Sequence, residues 1–201
     1  MAELAGLLLA AGASTRLGQP KQLIQLQGEA LVRRQARLLL DCCDEVVVVT
    51  GSGAEAVAAQ LAGLPLRLQK NAAWPSGMGS SLACGVAALS GVDGVLVLLC
   101  DQWGVRHESL AALVAAWRSA PQQAVAAAWS GCEAAPPVIF PASVLPGLAV
   151  LGGEAGARSL LASGAIPTRT LAMPEAAFDL DSPEDLELFC QKGDQKGDGA
   201  N

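Results

Sequence analysis

Apolar runs alternate along the chain with segments whose apolar positions recur at helical spacing. The run LAGLLLA at 4–10 is apolar throughout, which is typical of a parallel strand buried on both faces. Similar runs predict strands at 45–50, 66–69, 94–101, 124–129, 137–140 and 166–173. Helical spacing predicts helices at 30–43, 53–63, 80–91, 106–120, 154–164 and 182–190. This order predicts an α/β fold with three layers, α/β/α, around a mostly parallel twisted sheet.

The alternation continues without a linker, so we predict a single domain over residues 1–190. Hydrophobic residues make up 52% of the 201 residues but aromatic residues only 3%, so Leu, Val and Ala must fill the core. The last segment, QKGDQKGDGAN at 191–201, has one apolar residue and is predicted to be a disordered tail.

Charge and cysteine content narrow the possible partners. The net charge of −6 argues against nucleic-acid and acidic-membrane partners. No apolar stretch reaches the roughly 18 residues of a membrane span, and no basic region marks a signal peptide before the first strand. The six cysteines form no C-x-x-C pair and accompany one histidine, His107, which argues against a zinc site. We therefore expect a cytoplasmic protein with a small-molecule ligand.

The loop AAGASTRLGQPK at 10–21 follows the first predicted strand and is the first candidate site. Ligands of α/β sheets bind outside the carboxyl ends of strands. Within residues 1–32 the only cations are Arg16 and Lys21, which lie among small residues that expose backbone N–H groups. The pattern favours a triphosphate with a bound metal, although a turn with two solvated cations is the alternative. Neither a Walker A motif nor the G-x-G-x-x-G motif of NAD-binding domains occurs here.

This loop resembles the signature L-A-[AG]-G-x-S-x-R-[ML]-G-x-x-K of the nucleotidyltransferases that share the molybdenum cofactor transferase fold. It is most similar to the molybdenum cofactor cytidylyltransferase branch, in which an alanine occupies the position of Ala11. Three further segments match in order: NAAWPSGMGSSLACG (71–85), LLCDQ (98–102) and FDLDSPEDL (178–186). The resemblance implies a Rossmann-like nucleotidyltransferase fold. It also implies transfer of CMP from CTP to a phosphate-bearing acceptor of molybdopterin type, with release of pyrophosphate.

Carboxylates are the candidate ligands for Mg²⁺, the expected cofactor. Asp101 ends the most apolar strand, at the edge where the phosphates should lie. Asp179 and Asp181 are two residues apart and would share one face of a strand. The resemblance implies that this segment supplies a second metal ligand, for which we favour Asp181. The alternative is that the segment only caps a helix, although Ser182 could do so by itself.

The resemblance also implies the remaining contacts. Catalytic roles fall to Arg16, Lys21 and Asp101. The expected nucleotide-binding residues are Leu9, Ala10, Ala11, Gly12, Ala13, Ser14, Arg16, Lys21, Asn71, Gly77, Ser80 and Ser81. The expected acceptor-binding residues are Trp74, Gln102, Pro137 and Arg158. Trp74 could instead cover the edge of the core, and Arg158 could be a solvated charge on a helix surface.

One residue departs from the family pattern, because Trp103 stands where the family has proline. The substitution predicts a large indole beside the metal and leaves the acceptor uncertain. A GTP-using or sugar-phosphate nucleotidyltransferase therefore stays open. So does a non-catalytic accessory protein that binds the cofactor for a molybdenum hydroxylase.

Overall fold

The computed structural model describes residues 2–153 and 156–194, without the side chains of residues 158, 159 and 190–194. Seven strands form one sheet in the order β5-β4-β1-β6-β8-β7-β9. Their bounds are β1 Leu4–Ala10, β4 Glu45–Thr50, β5 Arg67–Lys70, β6 Gly94–Leu99, β7 Ala124–Trp129, β8 Cys132–Pro141 and β9 Thr168–Ala172. Only β8 runs antiparallel to its neighbours β6 and β7, so the predicted mostly parallel sheet is confirmed.

Helices cover both faces of this sheet. Their bounds are α1 Leu31–Leu40, α2 Ala54–Gln60, α3 Met78–Ala87, α4 His107–Ser119, α5 Leu145–Leu148, α6 Ala157–Ala162 and α7 Pro183–Asp194. Leu8 of β1 belongs to the core under α1, α2, α4 and α7, whereas its neighbour Leu7 belongs to the core under α3, α5 and α6. Successive side chains of a strand point to opposite faces, so the apolar run of β1 joins two cores in a three-layer fold.

The site is positioned by the reversal of strand order around β1. The chain passes from β1 outward to β4 and β5, then returns to place β6 on the other side of β1. Leu9 pairs with Leu99 at the carboxyl ends of these two strands. Parallel sheets bind ligands in the crevice at such a point. The loop after β1 and the turn after β6 therefore face one another.

Several boundaries differ from the sequence prediction. The pair β2 (Gln25–Leu26) and β3 (Glu29–Ala30) was not predicted, because two-residue strands carry no periodicity. β8 begins five residues before the predicted 137–140, because Pro136 and Pro137 interrupt the usual strand pattern. Helix α7 continues to Asp194, into the first four residues of the predicted disordered tail, and residues 195–201 lie outside the described chain. No helix in the described chain is both long and apolar enough to cross a bilayer.

Candidate active site

The loop after β1 is held in shape by two polar side chains. Gln22 is buried, and its Nε2 donates hydrogen bonds to the carbonyl oxygens of Gly12 (2.7 Å) and Ala10 (3.1 Å). The Oγ of Ser14 accepts a hydrogen bond from the backbone N–H of Lys21 (3.1 Å). These bonds fix the loop from within, so Ser14 has a positioning role here. The sequence analysis missed Gln22. The only sequence signal for its role was its polar side chain directly after Lys21.

Lys21 joins the two predicted metal ligands. Its Nζ lies 2.6 Å from Oδ2 of Asp101 and 2.7 Å from Oδ1 of Asp181. Arg16 approaches Asp181 at 3.5 Å, with 83% of its side chain exposed. Burial alone would lower the pKa of Lys21, but the charges and hydrogen bonds of both carboxylates outweigh it and raise that pKa. The structure thus brings Arg16, Lys21, Asp101 and Asp181 together from three distant segments.

Asp181 is available for this cluster because its neighbours cap α7. Ser182 and Asp185 hold each other in a capping box: Asp185 N–H donates to Ser182 Oγ, and Ser182 N–H and Oγ both donate to Asp185 Oδ2. Slight burial favours a higher pKa for Asp185, but these bonds and one from Asp181 N–H bring that pKa below its usual value. Ser182 and Asp185 therefore cap the helix, and the Asp181 carboxylate is not needed for capping and binds Lys21.

The carboxylates suit a divalent cation that also binds phosphate. The buried Oδ1 of Asp101 has no hydrogen-bond partner in the described chain. Among the described residues no three His, Cys, Asp or Glu side chains group closely enough to hold a metal by themselves. Mg²⁺ commonly takes one or two carboxylates and completes its shell with water and substrate phosphates. Asp101 and Asp181 are therefore a fitting donor pair for Mg²⁺ accompanied by a nucleotide.

A cavity of about 360 Å³ opens beside this cluster, and we call it the Lys21 cavity. Its wall includes these predicted nucleotide-binding residues: Leu9, Ala10, Ala11, Gly12, Ala13, Lys21, Gly77 and Ser81. Arg16 and Ser14 line a smaller adjoining cavity of about 210 Å³ together with Asp181. The loop after β1 thus supplies one wall and the start of α3 the opposite wall.

Asn71 and Ser80 are placed behind this wall. Asn71 is buried, and its Nδ2 donates to the Oγ atoms of Ser80 (2.9 Å) and Ser81 (3.1 Å). Ser80 in turn donates to the carbonyl oxygens of Gly77 and Ala73. The pair therefore fixes the loop before α3, and only Ser81 reaches the cavity.

Trp74, which was predicted to bind the acceptor, lines the same cavity as most of the residues predicted to bind the nucleotide. Its half-buried indole lines the Lys21 cavity and packs over Gly51. A Cβ on Gly51 would lie 2.7 Å from Cγ of Trp74. Trp74 can therefore both contact a ligand and cover the edge of the core, because it packs on the core and also lines the cavity.

A second cavity of about 560 Å³, which we call the Trp129 cavity, adjoins the first and shares Met78 and Leu99 with it. Its wall is mainly apolar and includes Trp129, Ala135, Pro136 and Ala162. Asp179 lines this cavity, whereas Asp181 lines the smaller cavity beside Arg16, so the two residues do not line one cavity as their predicted common face implied. Burial, followed by the charges of Asp101 and Asp181, raises the pKa of Asp179.

Of the other predicted acceptor contacts, Gln102 lines the Trp129 cavity and Pro137 lies next to one of its lining residues. Gln102 lines it, but the Nε2 of this residue already donates to the carbonyl oxygens of Pro136 (2.7 Å) and Ala176 (3.1 Å), so it ties β8 to the 174–177 turn. Pro137 is buried in β8 next to the lining residue Pro136. The backbone of Arg158 lies in α6, and its side chain is outside the described residues.

Trp103 lines neither the Lys21 cavity nor the smaller cavity beside it, whereas the sequence predicted its indole beside the metal. Only 7% of it is exposed, and its ring contacts Phe178 at 5.6 Å and Phe189 at 5.3 Å between centroids. It therefore packs the turn after β6 against the segment that leads to Asp181. The tryptophan that replaces the family proline thus forms a core contact between the segment that carries Asp101 and the segment that carries Asp181.

Comparison with known proteins agrees with this architecture. The model of the MobA-like NTP transferase domain matches residues 6–169. The nicotine blue oxidoreductase of Paenarthrobacter nicotinovorans is 38% identical over 165 residues, covering 78% of this chain and 80% of that protein. A probable molybdenum cofactor guanylyltransferase of Rhodopirellula baltica is 32% identical over 190 residues, covering 91% of this chain and 90% of that protein.

A solved structure shows the same fold. The crystal structure of Rv0371c from Mycobacterium tuberculosis, in complex with manganese, superposes with a TM-score of 0.77 at 23% identity. The match covers 94% of this chain and 98% of that one. Fold and family model therefore agree, and the chain belongs to the family of MobA-like NTP transferase domains.

Proposed function

We propose that this protein transfers CMP from CTP to a phosphate-bearing acceptor of molybdopterin type and releases pyrophosphate. The observation that carries the proposal is the Lys21–Asp101–Asp181 cluster between two adjoining cavities. The choice of CTP rests on Ala11, the residue type of the cytidylyltransferase branch. The molybdenum-containing acceptor is supported by the name of the Rhodopirellula baltica relative. A molybdenum hydroxylase is the proposed user of the product.

The two cavities give each substrate its own place. The Lys21 cavity has glycine and alanine backbone on one wall and an indole on the other, which suits a flat base followed by phosphates. The apolar Trp129 cavity suits the body of the acceptor. Because both cavities contain Met78 and Leu99, the reacting phosphates would meet where the cavities join. Trp74 then contributes to nucleotide binding.

The reaction needs alignment and charge neutralisation more than proton transfer. A phosphate oxygen of the acceptor attacks the α-phosphorus, the bond to the leaving pyrophosphate breaks, and no general base is required. Lys21 and Arg16 stabilise the negative charge that grows on the departing oxygens. When bound, Mg²⁺ would be held by Asp101 and Asp181 and would neutralise further phosphate charge. Gln22 and Ser14 hold the loop so that its N–H groups keep their direction.

The buried position of Trp103 argues against the alternative of an inactive accessory protein, because the indole packs in the core and lines neither of the two cavities. A GTP-using enzyme remains the second candidate, since the Rhodopirellula baltica relative is named a guanylyltransferase. We also propose a cytoplasmic location, because the five described cysteines are unpaired, as is usual in a reducing compartment.

The test is pyrophosphate release by the full chain with Mg²⁺, the molybdenum-loaded molybdopterin acceptor and each of CTP, GTP, UTP and ATP. We expect a preference for CTP of about 100-fold in kcat/KM. Faster release with GTP would transfer the proposal to the guanylyltransferase class. Tight acceptor binding without release from any of the four nucleotides would favour the accessory protein instead.

A further inference from the structure

The ammonium group of Lys21 occupies the gap between two carboxylates that suit a divalent metal. Its Nζ makes hydrogen bonds to both at 2.6 and 2.7 Å, and the side chains of Lys21 and Asp101 are each only 16% exposed. Two carboxylates this close to one cation would repel each other strongly if the cation were absent. In this arrangement Lys21 therefore supplies the neutralising charge that a metal would otherwise bring.

The backbone that carries each carboxylate is held in place, whereas the ammonium group of Lys21 is at the end of a long side chain. Asp101 lies two residues after the end of β6 at Leu99, and the backbone N–H of Asp181 donates a hydrogen bond to Oδ2 of Asp185 at 3.1 Å. Lys21 is anchored at its N–H by Ser14, but a four-carbon stem separates that anchor from Nζ. Displacing the cation would therefore move the lysine and leave the acids in place.

We propose that Lys21 is an internal counter-ion that blocks the metal position until a nucleotide arrives. An ammonium nitrogen and a divalent cation cannot lie between the same carboxylate oxygens at once. The gap has room for one of them, and the two positive charges would repel each other. The phosphates of an incoming nucleotide give Lys21 new acceptors, so that the lysine leaves the gap as the metal enters. Metal and nucleotide then bind with positive coupling, each raising the affinity for the other.

The coupling has a functional consequence. Without nucleotide, the site neither collects stray divalent cations nor leaves the largely buried carboxylate of Asp101 unpaired. Arg16 cannot replace Lys21 in this role, because its side chain is largely exposed and, among the carboxylates of the described residues, it forms an ion pair with Asp181 and none with Asp101. The inference rests on the metal position of the proposed function, but not on the identity of the base or of the acceptor.

The test measures Mn²⁺ binding to the nucleotide-free full chain by the loss of the free-ion electron paramagnetic resonance signal. Lys21→Met removes the ammonium while keeping most of the stem, and we expect it to bind Mn²⁺ about 10-fold more tightly than the natural chain. The matched control is Lys70→Met, at an exposed lysine that lines neither cavity, which should leave Mn²⁺ affinity unchanged. Adding Asp181→Asn to Lys21→Met should abolish the gain.

A second variant and a second readout guard against misfolding. Lys21→Gln should show the same direction of change, and Mn²⁺ should raise the melting temperature of both Lys21 variants more than that of the natural chain. Folded Lys21 variants whose Mn²⁺ affinity is equal to or weaker than that of the Lys70→Met control would overturn the inference. This test measures Mn²⁺ binding and is independent of the pyrophosphate-release assay. If the Lys21 variants bind Mn²⁺ more tightly but the natural chain shows no transferase activity, the counter-ion role is supported and the proposed function is refuted.

Discussion

The Lys21 cavity and the Trp129 cavity share two residues, yet they are built in different ways. One wall of the Lys21 cavity is a single continuous loop that contributes Lys21 and the small residues 10–13. The Trp129 cavity draws its wall from β7, β8, α6 and the segments around Gln102 and Asp179. Its side chains are mainly apolar, and the polar amide of Gln102 is committed to backbone carbonyls.

This difference in construction suggests that the Lys21 cavity carries out the phosphate chemistry and that the Trp129 cavity selects the acceptor. A phosphate needs the same few groups in any nucleotide, so one compact loop can supply them. An acceptor is recognised by shape and by a few side chains from several elements, each of which can vary independently. Changes in the Lys21 cavity should therefore reduce the rate with every acceptor. Changes in the Trp129 cavity should alter which acceptor is used.

The largest expected effect is in the Lys21 cavity. Asp101→Asn removes one metal-binding charge and one partner of Lys21 while keeping the size of the side chain. We expect kcat for pyrophosphate release to fall about 10³-fold with the fold intact. The matched control is Asp41→Asn, at an exposed aspartate remote from both cavities. A rate within threefold of the natural chain, on the order of the control, would refute the assignment of Asp101.

The contact between the two carboxylate-bearing segments gives the next effect. Trp103→Ala removes the buried indole from between Phe178 and Phe189, and we expect the free energy of unfolding to fall by about 3 kcal/mol. Denaturant unfolding measures this change, and Trp103→Phe serves as the control that keeps an aromatic ring. If Trp103→Ala unfolded like the natural chain, the assignment of Trp103 as a core contact would fail.

These two residues show what the sequence could predict. The loop at 10–21 carries its residues side by side, so Arg16 and Lys21 were found from local pattern. Asp101 was found because it ends a recognisable apolar run, predicted as a strand over 94–101 and observed as a strand over Gly94–Leu99. Trp103 was misplaced, because the direction of a side chain in a turn depends on what packs against it, and Phe189 lies 86 positions away along the chain. Gln22 was missed for the same reason, since its partners are carbonyl oxygens that no sequence pattern marks.

The Trp129 cavity, where we propose that the acceptor binds, was harder to predict for a physical reason. Its residues come from segments whose mutual placement depends on β8, the antiparallel strand of the described sheet. Asp179 and Asp181 were expected on one face because a strand alternates with period two. Their segment is irregular, and the two residues line different cavities.

A smaller effect should separate the two cavities. Ala162 is an exposed residue of α6 on the wall of the Trp129 cavity, and Ala162→Trp would partly fill that cavity. We expect KM for the acceptor to rise about 10-fold, while the Kd of CTP stays within about twofold. Ala165→Trp, at an exposed residue that does not line the cavity, is the control. An equal loss of CTP affinity would show that the cavities are not separate.

The smallest effect concerns the cap that leaves Asp181 free. Ser182→Ala removes the hydroxyl that accepts from Asp185 N–H and donates to the Asp185 carboxylate, and we expect a loss of about 1 kcal/mol in the free energy of unfolding at pH 7. The folded pKa of Asp185 is below its unfolded value, so the stabilisation is present above the unfolded pKa of about 4.

That stabilisation should disappear as the pH falls through the folded pKa of Asp185, because protonation weakens the carboxylate as an acceptor. The difference between Ser182→Ala and the natural chain should therefore shrink below about pH 4 in urea unfolding at several pH values. A difference that grows on acidification would place the stabilising charge elsewhere. Since the cap holds the segment rather than the metal, Ser182→Ala should weaken Mn²⁺ binding in the presence of CTP far less than Asp101→Asn does.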